Sequence, residues 1–167
     1  LFASLRLIEL GYKPILLERG KSVLSRKHDI AQINRGGEIN PNSNYAFGEG
    51  GAGTFSDGKL TTGIKDSRCR FVFEEFVSHG APEDILVNAK PHIGTDKLKT
   101  TVKAIREEII SLGGQVLFET QLTNIIVANN FIHGVTVTDK NGKETDIETD
   151  ALILSIGHSA RDTIEML

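Results

Sequence analysis

The residues best suited to chemistry are concentrated in one glycine-rich segment, residues 48–59, which reads GEGGAGTFSDGK. Glycines let backbone N–H groups approach an anion closely, and they form concave nests around it. Thr54, Ser56 and Lys59 add side-chain donors to the same stretch. The segment therefore predicts a contact with a phosphate group or a cofactor, and a loop without a ligand is the alternative.

The same segment contains most of a Walker A pattern. From Gly53 to Lys59 it spells G-x-x-x-x-G-K, but Leu60 follows where a Ser or Thr would hold magnesium. The preceding residues, SNYAF, make a poor strand, and the residues after Leu60 lack the pattern of a long helix. A P-loop nucleotide binder is therefore the least favoured interpretation of this segment.

Glu18 is a second candidate because it ends an apolar run, PILL, that is followed by Arg19 and Gly20. A short continuous apolar run between Pro and Gly is typical of a strand buried on both faces. In dinucleotide-binding folds an acidic residue at such a strand end accepts hydrogen bonds from ribose hydroxyls. A solvated carboxylate at a strand end is the alternative.

A third candidate follows the apolar run ALILSI, residues 151–156, which predicts another doubly buried strand. Gly157 would permit a tight turn after it, and a new helix beginning near His158 would present unpaired N–H groups. An ordinary corner between a strand and a helix explains the same residues.

Composition argues against several other classes of function. The net charge is −3, from 19 basic and 22 acidic residues, so we expect no nucleic-acid partner. The five histidines have no metal-ligand spacing, and we expect no metal site. The single cysteine, Cys69, suits a reducing compartment. No apolar run approaches the roughly 20 residues of a membrane helix, and we expect a cytoplasmic protein with no membrane partner.

The elements that would position these residues include both helices and strands. Apolar spacing predicts helices over residues 1–10, 22–33, 70–79 and 95–112. The last has an apolar stripe that extends from Leu98 to Leu112, and Thr95 or Asp96 would cap its start.

From Gln115 onward the apolar period changes to two. Strands are predicted at 115–118, 122–128, 131–138 and 143–148, and the last three would form an antiparallel β-meander. The predicted class is α/β: part of a parallel sheet with helices on its faces, joined to a three-stranded meander over about 122–148.

Taken in order, the segments of this chain resemble the FAD-utilising dehydrogenases, NAD(P)/FAD-dependent oxidoreductases of the glutathione-reductase-like class with two dinucleotide folds. The matching segments are LRLIELGYKPILLERG, NPNSNYAFGEGGAGTFSDGKL, KPHIGTDKL, the meander and ALILSIGHSARDT. The resemblance implies a partial FAD-binding, Rossmann-like domain. Residues 1–167 would be an incomplete FAD/NAD(P)-binding domain, without the family's N-terminal GxGxxG turn and its C-terminal substrate and flavin-binding segments.

The resemblance also implies roles for individual residues. Glu18 would hold the adenosine ribose with Arg19 beside it, and Arg26 would approach the pyrophosphate. The backbone around Leu122 would contact the adenine, and the KPHIGTD segment would face the substrate side of the flavin. The remaining cofactor contacts would come from the glycine-rich loop and from the second strand–glycine turn: Gly50, Gly51, Ala52, Gly53, Thr54, Phe55, Ser56, Gly157 and His158.

The activity implied by the resemblance is hydride transfer through the flavin of FAD, with NAD(P)H as a candidate electron donor or acceptor. The substrate would be a small molecule that the sequence does not identify. No residue stands out as a catalytic acid or base. A non-catalytic nucleotide-binding or interaction module with the same fold is the alternative from a different class of function.

Overall fold

The computed structural model describes residues 1–56 and 58–167, and Asp57 of the glycine-rich segment lies outside them. The helices are α1 (Phe2–Glu9), α2 (Val23–Asn34), α3 (Cys69–Ser78), α4 (Thr95–Ser111) and α5 (Arg161–Met166). The strands are β1 (Ile15–Glu18), β2 (Gln115–Phe118), β3 (Thr120–Ala128), β4 (Phe131–Asp139) and β5 (Glu144–Glu148). Two short 3-10 turns cover Ala52–Phe55 and Glu83–Leu86.

The strands form two sheets. β1 and β2 pair in parallel, so that Glu18 lies opposite Phe118. β3, β4 and β5 pair in sequence order as an antiparallel meander, which confirms that prediction and places its start two residues earlier, at Thr120. Asn129 and Asn130 join β3 to β4 with positive φ angles of 52° and 66°, as tight hairpin turns require. The chain is therefore a mixed α/β fold.

The core is organised around α4. Its residues Leu98, Val102, Ile105 and Ile109 are buried, and they pack in one cluster with apolar residues that include Leu5 of α1 and Phe76 of α3. The 3.6-residue period of the sequence therefore identified the buried face of this helix correctly. Leu112 is the exception, because it lies just after the last helical residue and is 53% exposed.

The predicted capping of α4 is wrong. Gly94, with a φ of 85°, occupies the N-cap position, and neither Thr95 nor Asp96 caps the helix with its side chain. Thr95 is already the first helical residue, and its hydroxyl donates to the carbonyl of Ser56 at 2.5 Å. The side chain thus joins α4 to the glycine-rich segment instead of closing the helix end.

The strand prediction for residues 151–156 is also wrong. These residues form no strand, and Ile153 and Leu154 are 59% and 40% exposed. β1 is likewise only partly buried, with Ile15 41% exposed. Burial on both faces requires neighbouring strands and helices, and the parallel sheet has only two strands among the described residues.

Among residues 1–56 and 58–167, the helices are all too short or too polar to cross a membrane.

Candidate functional site

The site is built around residues 48–56, here called the glycine loop, which Arg26 of α2 holds from inside. Arg26 is completely buried, and its Nη1 donates to the carbonyls of Gly48, Glu49 and Gly51 at 3.2, 3.0 and 2.8 Å. Its Nε and Nη2 donate to the carbonyls of the two residues Asn44 and Tyr45. One guanidinium thus satisfies backbone groups that a loop cannot pair by itself.

This placement corrects the predicted role of Arg26. The side chain was expected to approach a pyrophosphate, but all three of its nitrogens donate to carbonyls and none of its surface is exposed. Its guanidinium lies 5.0 Å from the centre of the Phe55 ring, which covers it within the loop. Arg26 therefore shapes the glycine loop from its packed side.

Glu49 anchors the glycine loop to two helices. Its Oε2 accepts a hydrogen bond of 2.7 Å from the backbone N–H of Val23, the first residue of α2. Its Oε1 lies 3.1 Å from Nε of Arg106 on α4, an ion pair without hydrogen-bond alignment. Burial raises the pKa of Glu49, and the Val23 N–H and Arg106 oppose this rise. The carboxylate therefore replaces the missing side-chain cap of α2.

Glu18 lies at the end of β1 beside the glycine loop. Its Oε1 accepts hydrogen bonds from the N–H of Gly20 at 2.8 Å and of Gly48 at 3.1 Å. The backbones of these two glycines are in close contact, because a Cβ on Gly20 would lie 2.6 Å from Gly48 N and Cα. Glu18 is thus held at the start of the loop, and its other oxygen makes no hydrogen bond among the described contacts.

The glycines of the loop face two different environments. A Cβ on Gly50 would lie 2.0 Å from Oγ1 of the buried Thr54, so Gly50 is required by packing. A Cβ on Gly51 or Gly53 would meet no atom of the described residues within 4 Å. Gly51 has a φ of 69°, whereas Gly53 does not have a positive φ. Ala52 beside them is exposed. One side of the loop is therefore packed, and residues 51–53 face open space.

The far end of the loop is held by the segment that precedes α4. Lys59 and His92 form an antiparallel bridge, the N–H of Leu60 donates to the Pro91 carbonyl, and the N–H of Ile93 donates to the Gly58 carbonyl. The KPHIGTD segment therefore lies alongside residues 58–60 and meets the glycine loop at Ser56. This arrangement places a strand-like pair where a P-loop would begin its helix.

The described part of the chain therefore excludes the Walker A interpretation. Residues 58–68 contain no helix, and the next helix begins only at Cys69. A P-loop needs a helix directly after its Lys, because the N–H groups of that helix bind the phosphates. In the same described residues, no group of three or more His, Cys, Asp or Glu side chains could hold a metal ion.

A cavity of about 160 Å³ lies against the open side of the loop. Gly50 and Gly53 form one wall. Apolar side chains come from the start of α1, from α3 and from α4. Phe2 and Phe76 meet there edge to face with ring centres 5.0 Å apart. Beside Phe2 lie Leu98 and Val102 of α4. The cavity therefore combines main-chain atoms with an apolar surface, as ligand-binding clefts commonly do.

Arg19 contacts α5 and the residues that precede the glycine loop. Its guanidinium donates to both carboxylate oxygens of Asp162, at 2.9 and 2.8 Å, and to Asn42 at 3.0 Å. It also lies 4.3 Å from the centre of the Phe47 ring. Gln121 of β3 donates to the same Asp162 carboxylate. The hydrogen bonds from Arg19 lower the pKa of Asp162, against a smaller opposing effect of burial.

The remaining predicted residues are less closely associated with the loop. Leu122 is half-buried in β3 and pairs with Val137. Three residues before it, the N–H of Glu119 donates to the Gly20 carbonyl. Gly157 and His158 are exposed, and α5 begins only at Arg161. The predicted strand–glycine–helix corner is therefore wrong at this point, because no strand precedes it and the helix starts four residues later.

Sequence reasoning missed Glu49, Asp162 and the structural use of Arg26. Glu49 lies within the glycine-rich segment, and a single acidic residue between glycines was the sequence signal that could have identified it. Asp162 contacts Arg19 over a separation of 143 residues, and no local pattern predicts such a pair.

Comparisons with known proteins identify relatives without assigning a function. No family model matches the chain. A protein of Clostridium beijerinckii, described as uncharacterized, is 50% identical over all 167 residues, and the chain spans 30% of its length. A solved structure described as "Structural and Functional Studies of BexE: Insights into Oxidation During BE-7585A Biosynthesis" is 15% identical with a TM-score of 0.38, covering 89% of this chain and 27% of that one. The chain thus spans less than a third of each of these proteins.

Proposed function

We propose that the full-length protein is an FAD-dependent oxidoreductase and that this chain supplies part of its FAD-binding site. The proposal includes a Rossmann-like arrangement of the parallel sheet, with NAD(P)H as a candidate electron donor or acceptor and a small molecule as substrate. It is supported by the order of elements at the site: α1, the parallel strand that ends at Glu18, and a glycine loop held next to both.

Gly53 is the observation that carries the proposal. Glycine in a helical turn costs roughly 0.5–1 kcal/mol relative to alanine, and Gly53 lies in the 3-10 turn Ala52–Phe55. Its backbone conformation does not require glycine, and no atom of the described residues would lie within 4 Å of a Cβ there. A ligand that approaches the main chain closely supplies the reason that the protein itself lacks. Gly63, a bend residue in the next loop, likewise has no positive φ and no close neighbour among the described residues, but it lies outside the 3-10 turn and does not line the cavity.

The residues around the loop fit FAD in three respects. The Oε2 atom of Glu18 is available to accept hydrogen bonds from ribose hydroxyls, while Oε1 keeps the carboxylate in place. The main chain of Gly51 and Gly53 can approach a pyrophosphate or ribityl group without steric hindrance. The apolar wall that includes Phe2 and Phe76 suits one side of a planar ring.

The chemistry of the bound cofactor would be hydride transfer at the flavin ring. The contribution of this chain would be binding and orientation: Glu18 fixes the ribose, Arg26 and Glu49 hold the loop that the cofactor follows, and the apolar wall excludes water from one side. We assign no acid or base to this chain.

The test is to purify the full-length protein and measure protein-bound flavin by its visible absorption. Gly53→Val is expected to abolish flavin retention, because a branched side chain would occupy the open space beside the main chain. Gly63→Val is the matched control and is expected to retain flavin. A wild-type protein that takes up no FAD would overturn the proposal. If the protein binds FAD but neither NAD(P)H nor a supplied substrate reduces the bound flavin, the non-catalytic alternative is favoured.

A further inference from the structure

We propose that Glu49 is a positioning residue: through its buried carboxylate, paired with Arg106 and bound to the Val23 N–H, it holds residues 51–56 in the conformation that binds the cofactor. This inference rests on the proposed function. It concerns a side chain that lies on the packed side of the glycine loop and would not touch the cofactor itself.

The position of Glu49 in the chain gives this carboxylate its effect on the loop. The next two residues, Gly50 and Gly51, lead directly to the turn that faces open space. The carbonyl of Glu49 accepts hydrogen bonds from Arg26 at 3.0 Å and from the Thr54 hydroxyl at 3.4 Å. A shift of Glu49 would therefore move both ends of the short 3-10 turn.

The two contacts of the carboxylate point in different directions. One fixes the loop to the start of α2, and the other fixes it to the middle of α4, whose Val102 side lines the cavity. Glu49 is only 4% exposed as a residue, and the Arg106 side chain is 15% exposed. In such a buried setting, removal of one charged partner leaves the other uncompensated. This ion pair therefore holds the start of the loop against the apolar wall, while the Thr95–Ser56 hydrogen bond holds its far end.

This positioning role is distinct from a contribution to overall stability alone, because α2 and α4 also make contacts that do not involve Glu49. Arg26 alone binds the loop to α2 through three loop carbonyls, and it binds two more carbonyls in the segment just before the loop. We therefore expect that a variant lacking the Glu49 charge folds with the loop attached to α2 and with Ser56 still bound to Thr95, but with the start of the loop no longer fixed against Arg106 of α4.

The experiment uses the full-length protein, stripped of flavin and titrated with FAD. Glu49→Gln keeps an oxygen for the Val23 N–H and removes the charge that faces Arg106. Arg106→Met removes the cation and keeps the apolar stem. Each substitution is expected to weaken FAD binding about tenfold, which corresponds to the loss of one charge-assisted contact. The double variant is expected to bind FAD no more weakly than the single variant with the lower affinity, because both substitutions break the same ion pair. Glu74→Gln is the matched control, because the exposed Glu74 side chain also pairs with an arginine, Arg70.

The visible spectrum of the bound flavin is the second measurement. Every molecule that holds flavin is folded, so a loss of global stability leaves that spectrum unchanged, whereas a displaced loop changes the polarity beside the ring and shifts its bands. Wild-type affinity and spectrum in both Glu49→Gln and Arg106→Met would overturn this inference and leave the proposed function standing. If Glu49→Gln does not fold, Arg106→Met decides alone. Absence of FAD binding by the wild-type protein would overturn both.

Discussion

The guanidinium of Arg26 and the carbonyl of Gly51 are joined by a hydrogen bond of 2.8 Å, which links the first turn of α2 to the exposed face of the glycine loop. Gly51 precedes the open turn, so this contact sets the direction in which the turn projects. A glycine-rich segment has high conformational entropy when unfolded. Its order in this protein therefore depends on side chains that lie outside it, above all on Arg26.

The first prediction concerns Arg26. We expect Arg26→Met to lower the free energy of unfolding by about 3 kcal/mol or more, because several buried carbonyls would lose their donor at once. Lys27→Met is the control, since it removes a cation from the exposed neighbouring position of the same helix. Urea denaturation followed by circular dichroism gives both values. Equal stabilities for the two variants would show that the loop does not depend on Arg26.

The second prediction contrasts two glycines. Gly20→Ala would place a methyl group 2.6 Å from the backbone of Gly48, and backbone cannot move aside as a side chain can. We expect a loss of about 1–3 kcal/mol of stability. Gly53→Ala meets no neighbour and requires no change of backbone, and we expect it to leave stability unchanged or to raise it by up to about 1 kcal/mol.

Thermal unfolding of the two alanine variants in one buffer makes this comparison. A destabilised Gly53→Ala would mean that the open turn has a steric constraint of its own, and the ligand explanation for Gly53 would lose its basis.

The third prediction follows from the lowered pKa of Asp162. A carboxylate whose pKa is lower in the folded state binds protons more readily when unfolded, so it stabilises the fold above its ordinary pKa of 3.8. That contribution is lost as the pH falls through the lower, folded-state pKa. We therefore expect α5 to detach from Arg19 and Gln121 on strong acidification, and Asp162→Asn to be detached already at neutral pH.

Hydrogen exchange of the α5 amides, compared between neutral and acidic pH, measures this detachment. The exchange must be corrected for its intrinsic pH dependence. Protection of α5 that is the same in the wild-type protein and in Asp162→Asn would show that the Arg19 contact does not hold the helix.

The sequence predicted the elements whose signals are local and periodic. The apolar stripe from Leu98 to Ile109 determined the buried face of α4, and the change to a period of two located the meander. These predictions succeed because side chains three or four residues apart in a helix, or two apart in a strand, must face the same neighbour. Glu18 was found for a similar reason, since a charge that ends an apolar run marks the end of a strand.

The predictions that failed depend on contacts between distant parts of the chain. Residues 151–156 have the composition of a buried strand, but burial requires a neighbouring strand, and composition does not supply one. The family resemblance assigned Arg26 to a pyrophosphate, an anion that a guanidinium suits. The same guanidinium equally suits clustered carbonyls, and the choice between them is made by the tertiary arrangement of residues 44–51. Glu49 and Arg106, which form an ion pair, are 57 residues apart in the sequence.

The last prediction tests the role of Glu18 in the full-length protein. Removal of hydrogen bonds between a carboxylate and two ribose hydroxyls is expected to cost about 1.5–3 kcal/mol each, so Glu18→Ala should weaken FAD binding tenfold or more. The same substitution also removes the acceptor of the Gly20 and Gly48 N–H groups, which would disturb the start of the loop. Glu18→Gln separates the two effects, because its amide oxygen can still accept from the glycines while its NH2 group replaces the second acceptor oxygen. We expect Glu18→Gln to preserve the stability of the fold and to lose most of the affinity that Glu18→Ala loses, with exposed Glu38→Ala as the control. If Glu18→Gln binds FAD as tightly as the wild-type protein does, Glu18 acts on the loop alone, and the ribose must be held by another group.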